Sequence, residues 1–533
     1  MTEKNYLLTL VDLSGIQRYI FKSNTLKHIM GASGLVHLVT HDWLEEALKQ
    51  QGLCNRQPQG KNLRIEDGKL VSEVIYQEGG NALILFSSKD TAHGFAKALS
   101  LRALREAPGL DMVITHAALP ADVFIGKGAL FMPLQSLFQK VNEKKMDRAR
   151  NAALPGLGVT AACPYTQKPA THAIKREGGE QEWVSAEIHA KEMVGYQAAT
   201  DQFAGRFKGA RGNYAFLKEF SEFSGGAKGS YMAVVHADGT GMGQRLMDYL
   251  ARFAESSTRE AVDGLRAFSE SITDAVQQAM DDTIICLRQK IEQKVIPSKP
   301  GMLPFRPIVC DGDDITFVCD GTFGLPLTAQ LLKAFAKFNL IDTGEPIAMR
   351  AGVAIVKSHF PFSQAYELAE DLNRSARNFA RKNQGDAARF APMAIDWHIS
   401  TSGTLGSLEA LRCQYENKRA KLLLRPLLVG AKSGVRRWAV LEELVGIFGQ
   451  QKWQKIRSKL RELEDVFLQG KDAVERFLTF NSIDELPRPA AIGNIHLECG
   501  FVENDKQVLH YDALEVAEFF AFSSCDQEQE VTS

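Results

Sequence analysis

The sequence predicts an α/β (α+β) protein made of two similar α/β units, a small domain between them and a helical domain at the C-terminal end. A short apolar strand that ends in an aspartate and runs into a turn and a helix occurs twice, at residues 6–12 and 231–238, and an apolar hairpin follows each one. With 533 residues the chain exceeds the size at which one core keeps growing, so several domains are expected. We place their limits at residues 1–125, 126–228, 229–400 and 401–533.

The composition excludes several classes of protein. Hydrophobic residues make up 45% of the chain and charged residues 24%, as in ordinary globular proteins. The 63 Lys and Arg residues are balanced by 64 Asp and Glu residues, so the chain as a whole lacks the net charge that nucleic acids or membranes attract. No apolar run approaches the roughly 18 residues of a membrane span, and the N-terminal run is too short for a signal peptide. The eight cysteines form no CxxC pair, which argues against a disulfide framework or zinc ribbon and favours a cytoplasmic protein.

The first unit has the predicted order β, α, α, β-turn-β, α, β. The strand at 6–11 leads into "SGIQRYIFKS", which has helical spacing, and then into a longer helical pattern at 26–49. "LVSEVIYQEGGNALILFSS" contains two apolar runs around Gly79-Gly80-Asn81, which predicts a hairpin. A helix near 91–107 and a strand near 111–117 complete the unit.

The second unit repeats this order after the small-residue spacer "SGGAKGS". "YMAVVHADGTGMGQRL" combines a strand, an aspartate, a Gly-rich turn and a helix start, and helices fill about 242–295. The hairpin "RPIVCDGDDITFVCDG", a helix near 325–338, the strand "IAMRAGVAIV" and a helix at about 362–383 follow. The repeated order predicts a divergent duplication. Residues between the units are mixed in character, and the chain becomes helical from about residue 401.

Three aspartates at predicted strand ends form a candidate metal site. Asp238 ends the first strand of the second unit, and Asp313 and Asp314 lie in the hairpin turn. The turn by itself favours an ordinary tight turn, because Gly and Asp tolerate positive φ or bond back to the backbone. If the strands are neighbours, the carboxylates converge, and like charges about 4 Å apart repel by about 4 kcal/mol per pair at an effective dielectric constant near 20. Such a cluster must protonate or hold a cation, and its oxygen ligands favour Mg²⁺ or Mn²⁺.

A site of this kind suits nucleotidyl transfer. Two ions about 3.5 to 4 Å apart would clamp the attacking hydroxyl and the leaving pyrophosphate. The Gly-rich turn that opens the helix has backbone N–H groups around Gly239, Gly241 and Gly243 that are candidates to receive the phosphates.

The motifs resemble a known family. "YMAVVHADGTGMGQRL", the "DGDD" hairpin and "RAGVAIV…AYELAEDLNRSAR" resemble the second palm domain of the large polymerase-like subunit of type III CRISPR effector complexes. "LVDLSGIQRYIF" and "LKHIMGASGLVHLV" are similar to the first palm of the same family, so the resemblance covers about residues 1–400. It implies two ferredoxin-like palm domains, the second related to GGDEF and adenylyl cyclase domains, which in many members join ATP into cyclic oligoadenylate.

The resemblance assigns roles to particular residues. Asp238, Asp313 and Asp314 match the metal ligands for two Mg²⁺ or Mn²⁺ ions, with ATP as substrate. Gly312 matches the second glycine of the family's Gly-Gly-Asp-Asp turn, and Arg377 falls where the related GGDEF pattern has a phosphate-binding lysine. In the first palm, Ser33 is assigned to nucleotide binding.

Four departures from the family pattern stand out. Asp311 replaces the first glycine of the turn and adds a negative charge beside the phosphates. The first palm has Gly79-Gly80-Asn81 and no acidic pair, so it resembles a silent palm that holds an acceptor nucleotide. The family's zinc ribbon is reduced to Cys163, and no HD nuclease domain is expected before the first palm.

Other candidate residues have competing interpretations. The His41-Asp42 dipeptide favours a solvated helix face over a metal-dependent HD site, which needs more His and Asp ligands. Asp12 repeats the placement of Asp238 and favours a structural or acceptor-side role over metal binding. The segment 412–437 is strongly basic, which is consistent with either a solvated surface or a contact with RNA or other CRISPR-type subunits. Its basic residues are Arg412, Lys418, Arg419, Lys421, Arg425, Lys432, Arg436 and Arg437.

The sequence therefore favours a nucleotidyltransferase of the cyclase type that acts on ATP in antiviral signalling. Two alternatives remain open at this point. The palms are either an inactive scaffold within an RNA-guided complex, or a receptor that binds a nucleotide without turnover.

Overall fold

The computed structural model describes most of the chain. Its described ranges are residues 6–128, 130–147, 158–176, 178–220, 222, 231–384, 392–401, 406–502 and 506–522. Within these ranges, no helix has the length and apolar character needed to cross a membrane.

The first palm is a four-stranded antiparallel sheet with helices on its faces. Its strands are β1 (Tyr6–Ser14), β2 (Ser72–Glu78), β3 (Asn81–Phe86) and β4 (Asp111–Leu119). Its helices are α1 (Ile16–Phe21), α2 (Leu26–Thr40), α3 (Asp42–Gln51), α4 (Lys89–Glu106) and α5 (Phe131–Asp147). The predicted single helix at 26–49 is wrong, because His41, at φ −119° and ψ −83°, separates α2 from α3. The strand order is β2-β3-β1-β4.

A group of short elements follows the first palm. The two-stranded pair is β5 (His172–Lys175) and β6 (Gln181–Val184). The helices are α6 (Ala186–Ala190), a π-helical turn (Lys191–Gly195), α7 (Tyr196–Arg206) and α8 (Lys208–Arg211), and β7 (Ala215–Phe216) ends the group. The π-helical turn crosses α2 so closely that a Cβ atom on Gly31 would lie 2.0 Å from the Lys191 carbonyl oxygen. Only glycine permits this approach of two backbones.

The second palm repeats the sheet of the first and extends it. The strands of its sheet are β8 (Tyr231–Gly239), β10 (Phe305–Asp311), β11 (Asp314–Asp320), β12 (Met349–Lys357), β13 (Ala394–Ile399) and β14 (Leu427–Leu428). A short strand before β10, β9 (Met302–Leu303), pairs with β7 in a separate two-stranded sheet. Its helices are α9 (Met242–Ala251), α10 (Thr258–Glu292), α11 (Gly324–Phe335) and α12 (Phe362–Lys382). The order β10-β11-β8-β12 corresponds to that of the first palm, and β13 and β14 are added at one edge.

Strand register extends the duplication from element order to single residues. In the first hairpin Glu78 pairs with Asn81, and in the second Asp311 pairs with Asp314. Both hairpins have an irregular register at the same distance from the turn, between Val74 and Tyr76 and between Pro307 and Val309. The turn Glu78-Gly79-Gly80-Asn81 therefore corresponds to Asp311-Gly312-Asp313-Asp314.

The C-terminal part is mainly helical, as predicted. Its helices are α13 (Leu408–Cys413), α14 (Trp438–Phe448), α15 (Gln451–Gln454), α16 (Arg457–Phe467), α17 (Lys471–Phe480) and α18 (Tyr511–Val516). A short pair, β15 (Phe501–Val502) and β16 (Gln507–Val508), lies between the last two helices. One hydrophobic core runs continuously through both palms and into these helices, so all of them pack as one body.

Candidate active site

The two palms enclose a cavity of about 490 Å³ where their hairpin turns meet. A Cβ atom on Gly312 would lie 3.5 Å from the Cα atom of Gly79, so the two turns touch through glycines. Ser33 on α2 donates a hydrogen bond to the carbonyl oxygen of Ile308 on β10, which links the first palm to the second. The cavity is lined by Gln17 and Ser33 on one side and by Asp311, Asp313 and Asp314 on the other. Its volume is within the range of small-molecule sites.

The sheet of the second palm brings the three predicted carboxylates together. Asp238 lies at the end of β8, and β11 runs beside it with Ile315 paired to Ala237, which places Asp314 next to Asp238. Asp313, in the turn, lies over the next residue of β8, because a Cβ atom on Gly239 would be 2.7 Å from Asp313 Oδ2. Glycine at position 239 is therefore required for the close approach of Asp313.

The carboxylates of the hairpin lie in an environment that disfavours their negative charge. Burial, followed by the charges of Asp314 and Asp238, raises the pKa of Asp313 to about 6. Burial also raises the pKa of Asp314, although His236, whose Nδ1 lies 3.4 Å from Asp314 Oδ1, opposes that shift. A cation bound here would remove this penalty.

Two arginines contact the carboxylate of Asp238. Arg377 on α12 forms an ion pair with Asp238 Oδ2, and Arg350 on β12 lies 3.3 Å from Asp238 Oδ1. Arg350 also donates to the carbonyl oxygen of Gly239 at 2.9 Å and is 1% exposed. Arg350 was not among the residues predicted from the sequence, where its one signal is an arginine inside the apolar strand "IAMRAGVAIV".

The residue types fit divalent ions, but the arrangement of the side chains is not that of a filled metal site. The donors are carboxylate oxygens, which suit Mg²⁺ or Mn²⁺, and Asp314 Oδ1 is buried without a hydrogen-bond partner among the described residues. In the same part of the chain, no three His, Cys, Asp or Glu side chains are grouped so as to hold an ion. Instead of an ion, the guanidinium group of Arg377 is paired with Asp238.

The glycines assigned to phosphate binding have different surroundings. Gly241 (φ +63°) begins α9 and Gly312 (φ +60°) lies in the hairpin turn, both in the left-handed region that favours glycine. Gly243, inside the first turn of α9, has nothing within 4 Å of an added Cβ atom. The local backbone thus requires Gly239, Gly241 and Gly312 but not Gly243, and a role in phosphate binding stays a prediction for all four.

Asp311 lies at the contact between the palms and faces its counterpart Glu78. Both line a second, smaller cavity of about 260 Å³, together with Arg206 and His37. Burial, and next the charge of Asp311, raises the pKa of Glu78 to about 8. The additional carboxylate of the hairpin is therefore matched by one in the first palm.

Asp12, the counterpart of Asp238, forms an ion pair with Lys145 on α5. This contact agrees with the structural role favoured by the sequence, and no acidic partner stands at Asn81. His41 is half-buried and stacks on His37 with ring centroids 4.3 Å apart, while Asp42 is exposed, which is consistent with the predicted solvated face. No metal-binding HD group gathers around it in the described ranges.

Half of the basic segment 412–437 is used inside the fold. Arg412 lies 2.6 Å from Asp396, and Arg425 is buried in an ion pair with Glu515. Arg436 and Arg437 donate to backbone carbonyl oxygens. Neither a solvated surface nor an RNA contact describes these four arginines, and only the other four basic side chains are exposed: Lys418, Arg419, Lys421 and Lys432.

Comparison with known proteins gives one family match and several structures of the same fold. A family model described as Cas10/Cmr2, second palm domain, matches residues 231–385. The crystal structure of Csm1 in T. onnurineus is 14% identical, covers 98% of this chain and 70% of that chain, and has a TM-score of 0.54. A Csm1-Csm4 cassette in complex with cA3 is 13% identical, with coverages of 97% and 70% and a TM-score of 0.54. The same cassette in complex with pppApApA is also 13% identical, with coverages of 98% and 70% and a TM-score of 0.55.

At such low identity these structures establish the fold, which confirms the predicted class. No protein of curated function matches this chain.

Proposed function

Residues 231–385 are a second palm domain of the Cas10/Cmr2 family, and on that premise we propose that the chain is a nucleotidyltransferase that joins ATP into a cyclic nucleotide or cyclic oligoadenylate. We assign this activity to CRISPR-type antiviral signalling. The observation that carries the proposal is that Asp313 and Asp314 line a cavity of about 490 Å³ between the two palms and lie next to Asp238 at the end of β8.

In this proposal the three aspartates hold two Mg²⁺ or Mn²⁺ ions. Bound divalent ions supply Lewis-acid stabilisation of the attacking 3′ oxygen and of the leaving pyrophosphate. Arg350 holds Asp238 in position, because it is buried and donates hydrogen bonds to both the side chain of Asp238 and the backbone of Gly239.

Arg377 has two roles in succession. It pairs with Asp238 in this structure, and it would be free to bind the triphosphate if a divalent ion were held by Asp238 instead. The backbone N–H groups at the start of α9, near Gly241, receive phosphate oxygens.

The first palm forms the acceptor side of the cavity. Ser33, Gln17 and Gly80 line the cavity opposite the aspartates. We assign the second nucleotide to this side. The solved structures of the same fold with cA3, pppApApA and AMPPNP are consistent with a nucleotide site of this kind. By the same likeness we propose a Csm4-like partner subunit, with RNA contacts limited to the exposed part of the basic segment.

The pairing of Asp238 with two arginines favours one other function. If Arg377 does not leave, only Asp313 and Asp314 remain for a metal, and the cavity then belongs to a nucleotide receptor without turnover.

One experiment separates these functions. The purified protein is incubated with each NTP and Mg²⁺ or Mn²⁺, with and without RNA, and the products are separated by chromatography. We expect a cyclic product from ATP that is lost in Asp238→Ala, while the matched Asp12→Ala variant in the first palm retains most of it. Absence of product under every condition, with ATP still bound, would support the receptor. Absence of both product and binding would leave an inactive scaffold.

A further inference from the structure

A separate cavity of about 360 Å³ lies in the C-terminal helical part, among α14, α15, α16 and α18. It shares no lining residue with the cavity between the palms. Its volume falls within the range of small-molecule sites. Nothing in the proposed reaction uses this cavity.

Aromatic side chains form much of its wall. The rings of Phe448 and Trp453 meet edge to face with centroids 5.6 Å apart, and those of Tyr415 and Tyr511 are 5.8 Å apart. All four line the cavity, and Trp453 is 4% exposed. Rigid aromatic walls of this kind accept a flat ring, such as a nucleobase.

Glu464 on α16 is an acidic group in the wall of this cavity. Burial, and next the charge of Glu515, raises the pKa of Glu464 to about 7, so a large share of this side chain is protonated at neutral pH. A protonated carboxyl group presents one donor and one acceptor side by side. The Watson–Crick edges of both purines present a complementary pair, the N1 acceptor and 6-amino donor of adenine or the O6 acceptor and N1–H donor of guanine.

Two arginines stand at the rim, one turn apart on α16. Arg457 and Arg461 are 47% and 64% exposed, and both pair with the same carboxylate, that of Glu518. Exposed ion pairs contribute little to stability. A phosphate group carries more charge than Glu518 and accepts bidentate hydrogen bonds from guanidinium groups, so it can displace this carboxylate.

We propose that this cavity binds a purine nucleoside phosphate, with the base against the aromatic side chains and Glu464, and the phosphate at Arg457 and Arg461. The same chemistry is offered by free AMP and by a 5′-phosphorylated oligoadenylate.

The test is photolabelling of the full chain with 8-azido-AMP, followed by peptide mapping. It is done with the Asp314→Asn variant, which lacks one proposed metal ligand between the palms, so that labelling of the C-terminal cavity is judged separately from labelling of the site between the palms. We expect adducts in the peptides that contain residues 448–453 and 511–519. Glu464→Ala should weaken this labelling about tenfold, because the base loses two hydrogen bonds. Glu464→Gln should keep it within about threefold, since an amide also offers a donor and an acceptor.

Competition identifies the ligand further. AMP should compete at least tenfold better than ribose 5-phosphate, which lacks the base, and its advantage over adenosine should disappear in Arg457→Ala/Arg461→Ala. Comparison of AMP with a 5′-phosphorylated triadenylate separates a free nucleotide from a strand. Thermal unfolding of each variant checks that it folds, and removal of Glu464 is expected to raise stability by relieving repulsion from Glu515.

Labelling outside these peptides only, labelling unchanged by Glu464→Ala in the folded protein, or equal competition by ribose 5-phosphate would each overturn the proposal.

Discussion

The two palms use the same frame for different purposes, and three pairs of corresponding positions account for the difference. Both have an aspartate on the first strand, Asp12 in the first palm and Asp238 in the second. In each palm, a basic residue on the helix that follows the fourth strand forms an ion pair with this aspartate: Lys145 with Asp12, and Arg377 with Asp238. The aspartate and its helical cation are therefore common to both palms. Neither of them marks activity by itself.

The palms differ at the residues that surround this pair. Asn81 stands where the second palm has Asp314, and Gly80 stands where it has Asp313. Opposite Asp12 the register places Val113, whereas opposite Asp238 it places Arg350. Two features therefore distinguish the second palm. Its hairpin turn carries aspartates, and a buried arginine, Arg350, lies on the neighbouring strand opposite Asp238.

Asp314→Asn tests this comparison most severely, because it gives the second palm the residue of the first. We expect turnover of ATP to fall about a thousandfold, since a lost metal ligand removes several kcal/mol of transition-state stabilisation. The rate of product formation is measured by chromatography. Asn81→Asp, the reverse change in the first palm, should leave the rate within about twofold, and an equal loss in both variants would contradict the division of roles.

Gly239→Ala tests the close packing of Asp313. The added Cβ atom would lie 2.7 Å from Asp313 Oδ2 and displace the carboxylate, and a shift of about 1 Å costs about a hundredfold in rate. Gly243→Ala is the matched control, because an added Cβ atom there has nothing within 4 Å. If the two variants have equal rates, Asp313 does not depend on Gly239.

Arg350→Met places an apolar side chain opposite Asp238, as Val113 stands opposite Asp12 in the first palm. Because Arg350 positions a proposed metal ligand, we expect kcat to fall about 10- to 100-fold while KM for ATP stays nearly constant. Arg350→Lys should restore part of the rate. A purely structural role predicts instead a lower melting temperature in both variants without recovery of kcat in the lysine form.

Glu78→Gln tests the contact between the palms and is expected to have the smallest effect. The folded state raises the pKa of Glu78 from 4.5 to about 8, so the stability that this group contributes is present below about pH 4.5 and is lost as the pH rises through 8. Glutamine does not ionise, so the variant keeps this stability as the pH rises. We therefore expect the variant to exceed the natural protein in unfolding free energy by about 1 to 3 kcal/mol at pH 8.5, and by much less at pH 5. Chemical denaturation at both pH values measures this difference, and a constant difference would exclude titration of Glu78.

The sequence predicted the site as far as local patterns reach. An apolar strand, an aspartate and a glycine turn specify Asp238, and a hairpin with adjacent aspartates specifies Asp313 and Asp314, so their convergence required only that the strands be neighbours. Arg350 could not be assigned, because only the strand register shows which residue stands opposite Asp238. Asp311 was unexplained for a similar reason, since its partner Glu78 belongs to a hairpin more than 200 residues earlier in the sequence.

The basic segment shows the limit of charge patterns. The sequence predicted a solvated or RNA-binding surface for four arginines that instead form ion pairs or hydrogen bonds within the fold: Arg412, Arg425, Arg436 and Arg437. The side chain of Arg425 is completely buried. A run of charge along the chain does not reveal which side chains turn inward.

The crossing of α2 over the π-helical turn fixes how the molecule can handle its substrates. Gly31 and Gly34 allow backbone to touch backbone there, and Ser33 between them is bonded to β10 of the second palm. This contact and the shared core pack the palms together as one body. Under the proposed function, the size of the cavity between them would limit the length of the product, with local adjustment left to side chains such as Arg377.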